Sequence, residues 1–163
     1  MAEPRGEPLV AKIVTELEAI VADGGTTYWY TPKHVTRAEF NQAVKWSTIA
    51  ETFYEIRVGD VSTEIRTTGQ RHTVRMEIFV TAATKDRRFS TNPEAQDAGA
   101  IQPATAKFRL GHDVKRKLAE WTGWGGLGLQ LLEPTDDEQD VKTDGWAAVH
   151  LRFSAEFVER YAA

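Results

Sequence analysis

Trp146-Ala-Ala-Val-His-Leu-Arg-Phe-Ser-Ala-Glu-Phe-Val-Glu-Arg-Tyr161 is the stretch that decides how this chain folds. From Val149 onward the odd positions are Val149, Leu151, Phe153, Ala155 and Phe157, and the even ones are His150, Arg152, Ser154 and Glu156. Alternation with a period of two specifies a β-strand with one buried face and one polar face. Register is fixed tightly, because a slip of one residue would turn three large apolar side chains into water.

Working back from that strand, Asp144-Gly145 is a turn signal and residues 127–132 form a short strand. Phe108, Gly111, Val114, Leu118 and Trp121 mark one stripe of a helix that Gly123 stops, with the basic residues mainly off the stripe. Before it, residues 82–103 hold two prolines and little periodicity, a long loop of the kind that usually carries function or moves. Residues 71–80 read as a second clean strand, with Val74, Met76, Ile78 and Val80 on one side. Residues 52–58 form a third, with Tyr54, Ile56 and Val58 together; Gly59-Asp60 starts a turn, and residues 61–68 extend the pairing around it.

Near the start, Leu9, Val10, Ile13, Val14, Leu17, Ile20 and Val21 recur at helical spacing. They predict an amphipathic helix over residues 7–22, with Pro8 tolerated in its first turn and Gly24-Gly25 ending it. Residues 27–30 are aromatic and threonine-rich and read as the start of a strand, which Pro32 interrupts or confines to an edge. Residues 33–50 have no clear period, and residues 31–51 stand as an insert. Taken together, the elements predict a single α+β domain over residues 1–163, with a mainly antiparallel β-sheet and two main helices packed on one face.

At 163 residues the chain can bury a core unaided, and its 41% apolar and 27% charged content is ordinary for a globular protein. With no cysteine, disulfides, thiolate metal sites and cysteine nucleophiles are excluded. The first residues hold no apolar signal core, and no stretch approaches the roughly 18 apolar residues of a membrane span. A net charge of −4 argues against wholesale nucleic-acid binding.

That charge is segregated. Lys107, Arg109, Lys115, Arg116 and Lys117 give residues 104–121 a net of +3, while Glu133, Asp136, Asp137, Glu138, Asp140 and Asp144 give residues 133–144 a net of −5. Such tracts are either solvated surface or opposite patches that meet on neighbouring subunits.

Motifs for chemistry are missing. Gly123, Gly125 and Gly128 match G-x-G-x-x-G as a string, but a dinucleotide site needs strand then helix, and here the helix comes first. The acidic tract fails as a calcium loop: a register from Asp136 puts Val141 where glycine is required, and one from Asp140 ends on Leu151 instead of a glutamate. His34, His72, His112 and His150 are scattered, although His72 and His150 fall on strands and could approach across a sheet. Asp113 beside His112 reads as a helix-start residue near a positive dipole end. No serine lies in G-x-S-x-G, and no Walker sequence is present. No catalytic residue, metal or cofactor is expected.

Of the five tryptophans, Trp124 lies among glycines and reads either as an exposed interface anchor or as a residue packed under the second helix. Residues 85–89, Lys-Asp-Arg-Arg-Phe, mix cations with an aromatic, as nucleic-acid loops and mobile loops both do.

The element order resembles the tail-terminator (tail-completion) proteins of long-tailed bacteriophages. The resemblance rests on the opening helix around residues 10–20, the strands at 52–58 and 73–80, and the late helix around 111–120. Gly125-Gly126 and the long closing strand with Tyr161 near its end complete it. It covers most of the chain outside residues 31–51 and 82–103, and the insert around residues 40–50 departs from the shorter members.

The resemblance implies a structural virion protein and not an enzyme. Members form closed rings, typically hexamers, that cap the tail tube and meet the head–tail connector protein. Expected partners are further copies of the chain, the tail tube protein and the connector. No membrane and no specific nucleic acid are expected, beyond the genome passing through the ring lumen. The expected location is the virion head–tail junction, with the host cytoplasm during assembly. Candidate subunit or tube contacts are Arg87, Arg88, Phe89, Trp124, Arg152 and Glu156. Another neck, head-closure or tail-tube component is the alternative within assembly proteins. A small nucleic-acid-binding module using the cations of the second helix is the alternative outside them.

Overall fold

Among the described residues, β1 (His34–Arg37), β2 (Phe53–Ile65), β3 (Arg71–Lys85), β4 (Gly128–Leu132) and β5 (Trp146–Arg160) make one sheet in the order β1-β2-β3-β5-β4, and two helices lie against one of its faces. The structure, a computed structural model, describes residues 6–37, 52–65, 71–85, 103–120, 128–132 and 146–160. In chain order the elements are α1 (Gly6–Glu18), β1 (His34–Arg37), β2 (Phe53–Ile65), β3 (Arg71–Lys85), α2 (Pro103–Glu120), β4 (Gly128–Leu132) and β5 (Trp146–Arg160). The α+β class and the one-sided helical layer agree with the expectation from sequence.

β3 is the spine. It pairs antiparallel with β5 along its whole length, from Arg71 opposite Arg160 to Lys85 opposite Trp146. Antiparallel pairing on its other side aligns Tyr54 with Ala82, Ile56 with Val80 and Val58 with Ile78. The predicted apolar positions therefore meet in rows across three strands, such as Ile56, Val80 and Leu151, all three with no exposure. α1 lays Leu9, Val10, Ile13 and Leu17 over this face, and α2 adds Leu110, Val114 and Leu118. Each such side chain contributes roughly 1.5–3 kcal/mol by leaving water. At one end of the sheet the buried hydroxyls of Thr52 and Thr84 satisfy each other at 2.7 Å.

The structure departs from the sequence reading in several places, each with a local cause. Gly59-Asp60 is not a turn: β2 runs through it, with a register shift between Val58 and Val61. The two residues are accommodated as an irregularity within one long strand. α1 stops at Glu18, before the expected residue 22. There the Ala19 N–H is shared between the Thr15 and Glu16 carbonyls, and the Ile20 N–H turns back to Leu17. Ile20 nonetheless stays fully buried.

Residues 27–30 are not a strand. The strand on this side is β1, beyond Pro32, and it pairs parallel to β2. β1 is tied to the helical layer by a two-pronged ion pair from Arg37 to Glu7, at 2.5 and 2.8 Å. Phe108, expected on the packed stripe of the second helix, is 79% exposed. The packed stripe is Ala106, Leu110, Val114 and Leu118, joined by Gly111 and Asp113, and Phe108 points off it.

Candidate functional site

The sheet face opposite the helices carries the even positions of β5 and their neighbours. Cross-strand pairs organise it. Arg152 on β5 makes a charge-assisted hydrogen bond to Glu77 on β3. Arg75 on β3 donates Nε–H to Glu156 on β5 at 2.9 Å, and that carboxylate holds the Arg75 guanidinium pKa above its ordinary value. His150 Nδ1 and the Thr81 hydroxyl lie 2.9 Å apart. On β2, the Arg57 guanidinium stacks over the Phe79 ring, 4.9 Å from its centroid. Gly59 leaves the space for that ring, since a Cβ there would lie 2.5 Å from Phe79 Cε2. Glu55 is half-buried, and that burial raises its carboxyl pKa while the Arg57 charge opposes the rise.

Among the described residues, Arg75 and Arg152 are each paired with a carboxylate on the neighbouring strand, whereas one buried oxygen of Glu55 has no hydrogen-bond partner.

A second polar construction joins the helical layer to the loop after α1. Asp23 accepts the N–H groups of Thr27 (2.7 Å) and Tyr28 (2.9 Å), which hold its pKa down to about 2. Gly24 and Gly25 take φ of +75° and +87° to make this possible. The Tyr28 carbonyl in turn accepts the N–H groups of Asp23 and Gly25. From α2, the fully buried Asp113 carboxylate accepts the next two N–H groups, those of Trp29 and Tyr30. Burial raises its pKa, and the two N–H groups and the neighbouring His112 partly oppose the rise.

The Arg109 guanidinium lies 3.9 Å from the Trp29 ring centroid, and Lys117 Nζ lies 3.8 Å from Glu16. Beneath the loop, Tyr54 is fully buried. Burial first, then the Asp113 charge, pushes its hydroxyl pKa upward.

Of the candidate contact residues, Arg152 and Glu156 stand on the open sheet face, each in an ion pair. Arg87, Arg88, Phe89 and Trp124 lie outside the described residues, as do the acidic tract 133–144 and residues 86–102 of the long loop. His72 and His150 do not approach one another: His72 is opposite Glu159, and His150 opposite Thr81, near the other end of β3. Asp113 is not at a helix start but well inside α2, and its load is the backbone of the 27–30 segment. No spacing rule could have found that pairing. The one hint was a charged residue amid the apolar positions of α2.

Of the five cations counted on α2, Arg109, Arg116 and Lys117 are engaged within the subunit, which reduces what the helix could offer a phosphate backbone. Among the described residues no cluster of three or more histidines or carboxylates could hold a metal ion, and no helix is long and apolar enough to cross a membrane. No protein-family model matches the sequence, and no curated protein is significantly similar to it.

Proposed function

We propose that this chain is the subunit of a closed ring that caps the tail tube of a long-tailed bacteriophage and joins it to the head connector. The observation that carries the reading is the layering of the domain. The order α-β-β-β-α-β-β puts both helices on one face of the sheet and leaves the other face as a charge-paired surface.

A ring closed by a head-to-tail interface needs two different complementary surfaces on each subunit. A domain with unlike faces supplies them without any catalytic apparatus. The rigid cross-strand pairs favour a role in which shape and charge pattern are presented and not consumed.

The test is electron microscopy and sedimentation of the purified protein, alone and with tail tube protein. Closed rings of uniform diameter that bind tube ends are expected. A monomer at all concentrations with no affinity for tube protein overturns the reading. Open stacks of indefinite length would mark a tube-forming component instead.

A further inference from the structure

α2 has a second, unpacked side. Phe108, His112 and Lys115 follow at i, i+4 and i+7 and so align on one face. Phe108 is 79% exposed, His112 is exposed and Lys115 half-buried, with the exposed Lys107 next to Phe108. The opposite side of the same helix is packed to zero exposure at Ala106, Leu110 and Val114. A phenylalanine left this far in water beside cations is the composition of an interface anchor: an aromatic centre with a charged surround. Its complement by charge is acidic, and the chain itself carries one. Residues 133–144 hold six carboxylates against Lys142.

We propose that the Phe108–Lys115 face of α2 receives the acidic tract 133–144 of a second copy of this chain. The inference rests on the ring reading, and it supplies that ring's repeating contact. A helix face on one copy and a tract on the next are different surfaces. The contact is therefore heterologous and can propagate from subunit to subunit until it closes. Opposite charge orients the approach, and the Phe108 ring supplies apolar burial at the centre.

The test is a charge exchange in the full-length protein. One variant carries Lys107→Glu with Lys115→Glu, and another carries Asp136→Lys with Asp137→Lys. Each alone is expected to associate at least about tenfold more weakly than the wild type in sedimentation. An equal mixture is expected to assemble again, because each variant's altered surface then meets its complement on the other. Phe108→Ser is expected to weaken association to a similar degree at both low and high salt, with an unchanged thermal melt of the dissociated subunit.

If the wild type forms rings but the variants assemble as it does, or the mixture fails to recover, the contact is wrong and the ring stands. Failed recovery with weakened single variants would point to docking of the tract on its own chain. Open filaments with the expected exchange behaviour would uphold the contact and remove the ring. A wild type that stays monomeric removes both.

Discussion

Asp113 on α2 accepts the backbone N–H of Trp29 with both carboxylate oxygens at 3.0 Å, across 84 residues of sequence. A loop that reads as a β-strand is thereby held as an irregular segment. Its N–H groups are satisfied by carboxylates and not by a neighbouring strand. Replacing Asp113 by alanine strands the N–H groups of Trp29 and Tyr30. It is expected to cost about 1–3 kcal/mol in urea unfolding. An unchanged midpoint would show that water replaces the carboxylate at no cost.

The two carboxylates that hold this loop respond to pH with opposite sign. Asp23 has its folded pKa lowered from 3.8 to about 2, so its contribution is present above 3.8 and is lost as pH falls through about 2. Asp113 has its folded pKa raised above 3.8, so its contribution is full below 3.8 and is lost as pH rises through the folded value. Carboxyl-carbon NMR titration should resolve two midpoints, one on each side of 3.8. Coincident midpoints would contradict the burial assigned to Asp113.

Gly24 and Gly25 separate two costs that usually come together. Both have positive φ, but a Cβ at Gly24 meets nothing within 4 Å, whereas one at Gly25 would lie 2.5 Å from the Trp29 ring. Gly24→Ala should cost about 1–2 kcal/mol for the left-handed backbone alone. Gly25→Ala should cost more, because Trp29 must also leave its place under Arg109. Equal shifts in denaturant midpoint would mean that the ring moves freely.

The ion pairs of the open face differ in how much solvent they see. The Arg152 and Glu77 side chains are 37% and 26% exposed, against 59% and 51% for Arg75 and Glu156. A double-mutant cycle on Arg152 and Glu77 should give a coupling of about 0.5–1 kcal/mol, and the Arg75–Glu156 cycle a smaller one that salt removes. Arg152→Glu therefore perturbs the subunit as well as any contact it makes, and Glu156→Lys is the cleaner probe of assembly.

Phe108 and Leu110 test which stripe of α2 is packed. Leu110→Ala should cost about 2–5 kcal/mol, as a buried leucine does, and Phe108→Ser should leave the melt of the dissociated subunit nearly unchanged. The reverse order would restore the stripe expected from the sequence.

Much of this architecture is legible in the residues. The alternation from Val149 to Phe157 names the buried face of β5, and Val74, Met76, Ile78 and Val80 name that of β3. α1 announces itself by spacing. The rest depends on partners distant in sequence. Thr27-Tyr-Trp-Tyr30 has strand composition, but nothing local reveals that its N–H groups go to Asp23 and Asp113. Gly59-Asp60 has turn composition, but β3 continues past it and keeps β2 in the sheet. Phe108 fits an apolar stripe until Asp113 is admitted to the core, and that shifts the packed side of α2. On the open face, the sequence supplies Arg152 and Glu156 as polar positions but not their pairing with Glu77 and Arg75, which is set by register.

The hydrogen bonds to Asp113 also impose an order on folding. The segment from Asp23 to Tyr30 can form its own tight loop as soon as it exists, since Asp23, Gly24, Gly25 and Tyr28 are close in sequence. Its place against the domain is another matter, because the carboxylate that receives it belongs to a helix more than eighty residues later. Closing so long an intervening loop is entropically slow compared with local turns. The hydrogen bonds that hold this segment against α2 can therefore form only once α2 itself is in place. During synthesis the aromatic run Tyr28-Trp29-Tyr30 waits without its anchor until that helix emerges. Apolar surface exposed in such an interval is open to aggregation.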